Sequence, residues 1–472
     1  MTKPNKPCHV VIVGAGFSGA MTALHLIKQA STPLKITIFE PRAIPGLGMA
    51  YSTPSNGHLL NVPASGMSAF VDDAEHFQRY ATTRNASTDA HTFVPRRTFG
   101  EYISGMVKDA VAEAPSHIAI EHRRETVVNI SHVRDEFDIG LNGDEHLTAD
   151  YVVLALGNLL GKKPRWLREL GNAAENYLHD PWQAGAIEAI KPDENILLIG
   201  MGLTAVDKLV ELDLQKHKGT IYANSRHGLW PSPHVARLVS HKEPGKIPEG
   251  NVALAVKSLR EQMRIHEKTS GDPDAWRVVF DGLRSQTQDW WQSLSPKEHA
   301  RFLRHVKTYY AVHRHRMAPE IGAVVERMIK SGQVKSSAAR VTAVSSDGDK
   351  LRVTLTPRHG KDEPNVITVD RIINCMGPLE GIDAVENPLL RTVVANGLAG
   401  RNDLGSGIAV TNKGAVLSPD GVIVPGLYAI GPLLISKLLE SVAVPELSVQ
   451  AAGLAKQLLD SIEAKAPSTS MR

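Results

Sequence analysis

The chain has 472 residues, room for about three domains of roughly 150 residues each. Its 42% hydrophobic and 22% charged residues exclude collagen-like and broadly disordered chains. A net charge of +3 is too small for a nucleic-acid footprint, and two cysteines, Cys8 and Cys375, exclude a disulfide scaffold, a cysteine-rich zinc module, an iron–sulfur cluster and a Cys-x-x-Cys redox pair.

No apolar run is long enough to cross a bilayer. Lys3 and Lys6 ahead of the apolar stretch Val10 to Ile27 have the outline of a signal peptide, but the glycines inside that stretch belong to another pattern, so the expected location is a reducing cytoplasm. The run His9-Val-Val-Ile-Val13 reads as a buried parallel strand. Gly14-Ala-Gly16-Phe17-Ser18-Gly19 follows, then a helical run from Ala20 to Ala30 and a second strand, Lys35 to Phe39, ending at Glu40. This is the full βαβ setting of a dinucleotide fingerprint. Gly14 makes the tight turn, Gly16 admits a pyrophosphate, and Gly19 lets the helix pack on the sheet. The helix N-terminus, with Phe17 and Ser18, offers N–H groups to phosphate, and Glu40 is placed for a ribose, with Arg42 just beyond. The motif by itself admits NAD and FAD equally.

Glu125 to Gly157 reads as short strands with an Asn142-Gly143 turn and a closing strand at Tyr151. A second fingerprint begins with the strand Asn195 to Ile199 and continues through Gly200-Met-Gly202-Leu203-Thr204-Ala205 into a helix, Val206 to Leu214. Its second strand, Thr220 to Ala223, ends without an acid. Ser225 and Arg226 stand there instead, a pair suited to a 2′-phosphate, which tilts the coenzyme toward NADPH over NADH; the plain alternative for Arg226 is a solvated loop arginine. From about 250 to 330 the pattern is helical. Ser295-Pro-Lys-Glu298 predicts a capping box opening a long helix through Phe302, Val306 and Tyr309 toward Pro319, and Asp272-Pro273 is a weaker start of the same kind. His313 and His315 are two apart, the wrong spacing for a helical metal pair, so no metal site is expected. Arg340 to Gly377 repeats the meander with an Asp347-Gly348 turn, and Gly426 to Gly431 is one more strand ending in glycine, ahead of a helix from Glu446 to Leu459.

The pattern predicts an α/β protein with two Rossmann-like dinucleotide-binding domains of flavoprotein type. Residues 1–160 and 378–472 form the FAD-binding domain, and residues 190–377 the NAD(P)H-binding domain with the helical insert. Two nucleotides in one chain point to hydride transfer from NAD(P)H to a flavin. With a dithiol outlet excluded, the electrons go to dioxygen, in a monooxygenase or oxidase, or to an organic acceptor such as a quinone. In flavoproteins of this kind the last strand closes on Gly-Asp, whereas here Gly431 is followed by Pro432, which keeps the backbone approach and drops the acid.

The stretches Gly46 to Tyr51, Leu59 to Ser68, Gly202 to Asp207, Arg301 to His305, His313 to Pro319 and Glu440 to Leu447 make the chain similar to the bacterial FAD/NAD(P)-binding proteins of the YdhS type. One branch of that family comprises FAD-dependent urate hydroxylases, which use NAD(P)H and dioxygen; amine N-hydroxylating monooxygenases are more distant kin. The resemblance implies a flavin monooxygenase fold and does not by itself fix the substrate; the leading expectation is a small polar substrate, with urate the most concrete candidate, and the charge balance and hydropathy predict no nucleic-acid partner and no membrane. The resemblance makes the loop from Asn61 to Ser68 the candidate wall of the flavin ring, against the alternative of a folded surface loop. His58 is either a proton shuttle or a structural histidine. Trp230 to His234 either borders the nicotinamide or is a rigid proline turn. Arg304, Arg314 and Arg316 either draw in an anionic substrate or are solvated helix arginines. A flavin-binding regulatory or scaffold protein with little turnover is the reading from a different class.

Overall fold

A computed structural model of the chain describes residues 6–235, 245–358, 363–377, 386–405 and 407–465. Lys3 and the domain boundary expected at 378 lie outside them. The β-branched run forms β1 (Cys8–Val13), buried from His9 onward. After α1 (Phe17–Gln29), β2 (Leu34–Phe39) pairs with β1 in parallel, Cys8 opposite Leu34 and Val13 opposite Phe39. The helices α2 (Gly48–Tyr51), α3 (His76–Arg84) and α4 (Arg96–Ala112) lead to β3 (Ile118–Arg123), parallel to β2. Next, β4 (Val127–Val133), β5 (Glu136–Leu141) and β6 (His146–Ala149) form a separate antiparallel sheet, turning at Asn142-Gly143 as the sequence predicts. The chain rejoins the first sheet at β7 (Tyr151–Leu154), all four residues buried beside β1.

A second sheet gathers β8 (Tyr177–Leu178), β9 (Ile196–Ile199) and, after α5 (Leu203–Leu214), β10 (Ile221–Ser225). The insert follows: α6 (Val252–Ser270), α7 (Trp276–Gly282), α8 (Arg284–Ser293), α9 (Pro296–His305), α10 (Lys307–Arg314) and α11 (Pro319–Lys330). The single long helix predicted here is in fact two, broken at Val306. The break lets Phe302 pack its ring on Trp290 and Trp291 (5.6 and 5.4 Å) while Tyr310 and Arg314 reach Glu440. The predicted capping box is half made. Ser295 Oγ accepts from Glu298 N–H, but the Glu298 carboxylate accepts from Val252 N–H (2.8 Å), tying α9 to the start of α6.

The second sheet is completed by β11 (Val334–Asp347), β12 (Lys350–Pro357), β13 (Asn365–Val369) and β14 (Arg371–Asn374), in the order β13-β12-β11-β10-β9-β14-β8. The fourteen-residue β11 pairs in parallel with β10 along its first part and antiparallel with β12 along the rest, with a register shift between Val341 and Ala343. The second meander is thereby fused to its sheet, where the first stands apart. Beyond α12 (Pro388–Ala395), β15 (Ala415–Leu417) and β16 (Ile423–Ala429) return to the first sheet, whose order is β15-β16-β7-β1-β2-β3. The last helix, α13 (Val444–Lys465), buries Leu447, Ala451, Leu454 and Leu458 at helical spacing and joins the core that holds α1. Among the described residues no helix is long and apolar enough to cross a membrane.

Candidate functional site: two glycine turns and the contact between them

At the first turn Gly14 has φ +100°, and a Cβ there would lie 2.3 Å from the Ala155 carbonyl oxygen. A Cβ on Gly19 would lie 2.0 Å from the Gly14 oxygen, so helix and turn meet at a distance that only glycine permits. Gly16 is the N-cap of α1 and no side chain caps it, which leaves the first N–H groups of the helix, at Phe17 and Ser18, for an anion. The Phe17 side chain is buried against Phe99 and contributes only its backbone. A second glycine loop closes over this turn. Gly46 N–H donates to Ala15 oxygen (2.7 Å), and a Cβ on Gly48 would stand 3.0 Å from the Gly16 Cα. Glu40 is buried; its carboxylate accepts from Ala15 N–H (3.1 Å), Arg42 N–H (3.1 Å) and the Arg42 guanidinium (3.2 Å). This narrow, side-chain-free cradle with a carboxylate at the end of β2 fits a dinucleotide such as FAD. Gly431 joins it from the far end of the chain. A Cβ there would meet Ser18 Oγ at 3.1 Å, and its N–H donates to Gln450 of α13 (3.2 Å).

The second turn repeats the geometry on β9. Gly200 has φ +106°, and a Cβ would meet the Cys375 carbonyl oxygen at 2.4 Å. Gly202 caps α5 without a side-chain bond, ahead of Leu203 and Thr204, and among the described residues nothing lies within 4 Å of a Cβ placed on it. At the end of β10, Ser225 Oγ accepts from Gly228 N–H (2.9 Å), and Arg226 is exposed. The insert brings Lys307 close to Arg226; burial first, then that guanidinium, holds the lysine below its ordinary pKa. Arg358, from just beyond β12, donates to His227 (2.9 Å), whose ring stands edge-on to Tyr309 of α10. The region is cationic, as a phosphate requires.

The cysteines lie in different sheets, Cys8 on β1 and Cys375 just after β14, and both are free. Burial, above all, pushes both thiols up to about 12. Neither is a reactive thiolate near neutral pH.

Between the turns the two sheets are tied by buried polar groups. Arg96, first residue of α4, makes a two-pronged pair with Asp207 of α5 (2.7 and 3.0 Å), and its Nε donates to Leu59 oxygen. His58 is buried, with Nδ1 on Thr53 Oγ1 (2.7 Å) and Nε2 between the Asp207 oxygen (3.3 Å) and Glu211 (3.2 Å). Burial is the leading cause that lowers its pKa. Lys208 is buried beside Glu211 (2.8 Å) with its ammonium over the Trp182 ring. His58 thus anchors the 53–61 loop to the helix of the second fingerprint. Sequence reasoning singled out His58 and missed Arg96, Asp207, Lys208 and Glu211. The signal available was a cluster of charges on α5, a helix whose other residues are mostly apolar.

Asn61 lies at the same junction, its carbonyl bonded to His234 Nε2 (3.0 Å). The Trp230 to His234 stretch is pinned to residue 317 by His234 N–H to Met317 oxygen (2.8 Å) and Met317 N–H to Ser232 oxygen (3.0 Å). Ser68 serves its own loop: its hydroxyl contacts the Phe70 and Asp73 oxygens and accepts from Phe70 N–H. The Ser68 carbonyl accepts from Ser448 of α13. The three insert arginines part company. Arg304 is exposed, Arg314 is clamped by Glu440 (2.6 and 2.8 Å), and Arg316 is buried on Asp281. Glu440, which also takes the Tyr310 hydroxyl, fastens the insert to the segment after β16.

Residues 11–159 match the FAD-NAD(P)-binding family. The Escherichia coli (strain K12) protein YdhS is 27% identical over 314 residues, 61% of this chain and 56% of YdhS. An L-aspartate N-monooxygenase (nitrosuccinate-forming) of Streptomyces cremeus is 27% identical over 286 residues, 50% of this chain and 42% of that enzyme. The chain thus spans about half the length of the curated relatives it matches. The ornithine hydroxylase of Pseudomonas aeruginosa, in its reduced form, aligns with 97% of this chain and 100% of its own at a TM-score of 0.63 and 16% identity. Residues 11–159 thus match the FAD-NAD(P)-binding family, in a chain similar to YdhS that shares the fold of the ornithine hydroxylase.

Proposed function

We propose that the protein is an FAD-dependent, NAD(P)H-consuming monooxygenase acting on a small polar substrate. The observation that supports this reading is the contact of the 58–61 loop with both α5 and His234, which ties a loop of the first unit to the helix of the second fingerprint. In it the FAD-binding part is 1–160 with 378–472 and the coenzyme part 190–377. Gly14, Gly16, Phe17, Ser18 and Gly19 hold the FAD pyrophosphate, Glu40 with Arg42 the ribose, and Gly431 approaches through its backbone. Gly200, Gly202, Leu203 and Thr204 hold the coenzyme pyrophosphate, and Ser225 with Arg226 a 2′-phosphate, selecting NADPH. Bound FAD, reduced by NAD(P)H, supplies the oxygen-activating chemistry. Asn61, with its carbonyl fixed by His234, borders the flavin ring. His58 holds that loop in place as a neutral imidazole, and Ser68 shapes its far end.

The relatives' names point to an amino group as the oxygen acceptor; urate is the other candidate. The test is to purify the protein with its visible spectrum, bleach it with NADPH or NADH without oxygen, and then follow coenzyme oxidation in air with L-aspartate, L-ornithine, primary amines and urate. Substrate-stimulated oxidation with little peroxide is expected. Peroxide formed without substrate would make the protein an oxidase, transfer to a quinone would make it a reductase, and colour that does not bleach would leave a flavin-binding scaffold.

A further inference from the structure

The segment from His315 to Ala318 links α10 to α11, and its strand-like pairing with residues 232–234 holds Arg316 near His234, whose ring bonds the Asn61 carbonyl. The Arg316 side chain is 3% exposed. One nitrogen, Nη2, meets Asp281; Nε and Nη1 are buried with no partner among the described residues. Arg277 of α7 is 7% exposed, with Nη1 on Asp274 and Nη2 on the Pro233 oxygen (2.9 Å), and its Nε is likewise buried without a partner. Both guanidiniums lie near the Trp276 ring, 4.4 Å from its centroid for Arg277 and 5.9 Å for Arg316. Two other largely enclosed guanidiniums are filled: Asp207 takes two nitrogens of Arg96, and Glu440 two of Arg314. Buried charged donors without acceptors are costly and rare, and where they persist they call for a ligand or a water.

We propose that Arg316, with Arg277 beside it, is a receptor for a carboxylate on the substrate; the assignment rests on the proposed reading of the 58–61 loop as the border of the reaction site. A carboxylate suits it better than a phosphate dianion. Each guanidinium already faces one aspartate, so the pair offers free donors but little net positive charge to offset two negative ones. Burial, then repulsion from Arg277 and Arg314, disfavours the charged form of Arg316 while Asp281 supports it, and a bound anion would act in the same sense as Asp281. Asp281 Oδ2 is also without a partner among the described residues, so a donor next to the ligand's carboxylate has an acceptor at hand.

The test is calorimetric titration of the flavin-loaded protein with acetate, succinate and benzoate, each against its amide, beside anaerobic bleaching by NADPH. At least one carboxylate is expected to bind about tenfold or more tightly than its amide. Arg316→Gln removes that difference and Arg316→Lys restores part of it. Because Arg316→Gln leaves Asp281 buried and unpaired, the double variant Arg316→Gln/Asp281→Asn is measured as well. A wild-type protein that bleaches normally yet treats every acid and amide alike overturns the receptor and leaves the monooxygenase reading standing. Carboxylate selection that survives in the double variant also overturns it. Selection lost in the variants of a protein that NADPH does not bleach supports the receptor and sinks the monooxygenase reading instead.

Discussion

At the first glycine turn, Gly16 faces Gly48 across the cradle, 3.5 Å from a notional Cβ to the neighbouring Cα, and a buried carboxylate stands at the end of β2. At the second, no atom of the described residues stands within 4 Å of a Cβ on Gly202, and the end of β10 carries Arg226, with Lys307 brought close by the insert. The same local motif has thus been built once as a covered socket and once as an open ledge. The difference matches two modes of use: a resident group that is held through many turnovers, and a coenzyme that must enter and leave. The polar ties at His58 and Arg96 join the 53–61 loop and α4 to α5, the helix that opens at the ledge.

The largest expected effect comes from breaking that joint. Arg96→Ala leaves Asp207 buried and uncompensated and should cost about 3–5 kcal/mol, read as a fall in Tm. Arg96→Ala/Asp207→Ala should recover part of the loss, and a double variant no better than the single would show that the pair is not the tie. Next, Gly16→Val should weaken FAD retention by about tenfold or more, seen as colourless protein with an unchanged far-ultraviolet spectrum. Gly202→Val should keep the colour and raise KM for the coenzyme. Colour that survives in the first variant, or vanishes in the second, would reverse the assignment of socket and ledge.

Arg226→Ala tests the ledge alone. It should raise KM for NADPH by about tenfold and leave KM for NADH nearly unchanged, the loss of one charge-assisted contact to a 2′-phosphate. Equal effects on both coenzymes would remove the selectivity. The smallest effect is in pH. Burial, first, holds His58 below the ordinary imidazole value and brings His234 and His315 down to about 4. A group whose folded pKa is depressed gives its full stability above the unfolded value near about 6.5 and loses it as pH falls toward the folded value. Tm should therefore drop between pH ~6.5 and ~4, and His234→Asn should make that drop shallower. An unchanged slope would mean that His234 is accessible to protons in the folded state.

Much of the fold was legible because its signals are local. A β-branched run, a glycine forced to positive φ and a small residue where helix meets strand lie within about a dozen residues, and the backbone rules act over that range. The insert was legible as helical but not as broken, since periodicity cannot see that Phe302 and Tyr310 pack on different neighbours. The charges on α5 were visible but their partners were not: Arg96 and Asp207 are 111 residues apart, and Arg314 and Glu440 are 126 apart. Nor was it legible that the hydroxyl of Ser68, a candidate site residue, bonds within its own loop.

By itself the amino-acid order determined two dinucleotide turns, their glycine geometry and the acid on one side against the arginine on the other, because each depends on residues adjacent in the chain. Only the tertiary structure decided which turn is covered, which arginines are spent on carboxylates and which keep donors in reserve. Those outcomes depend on segments distant in the chain being packed out of water together, where an unmatched charge is costly and a matched one disappears from view.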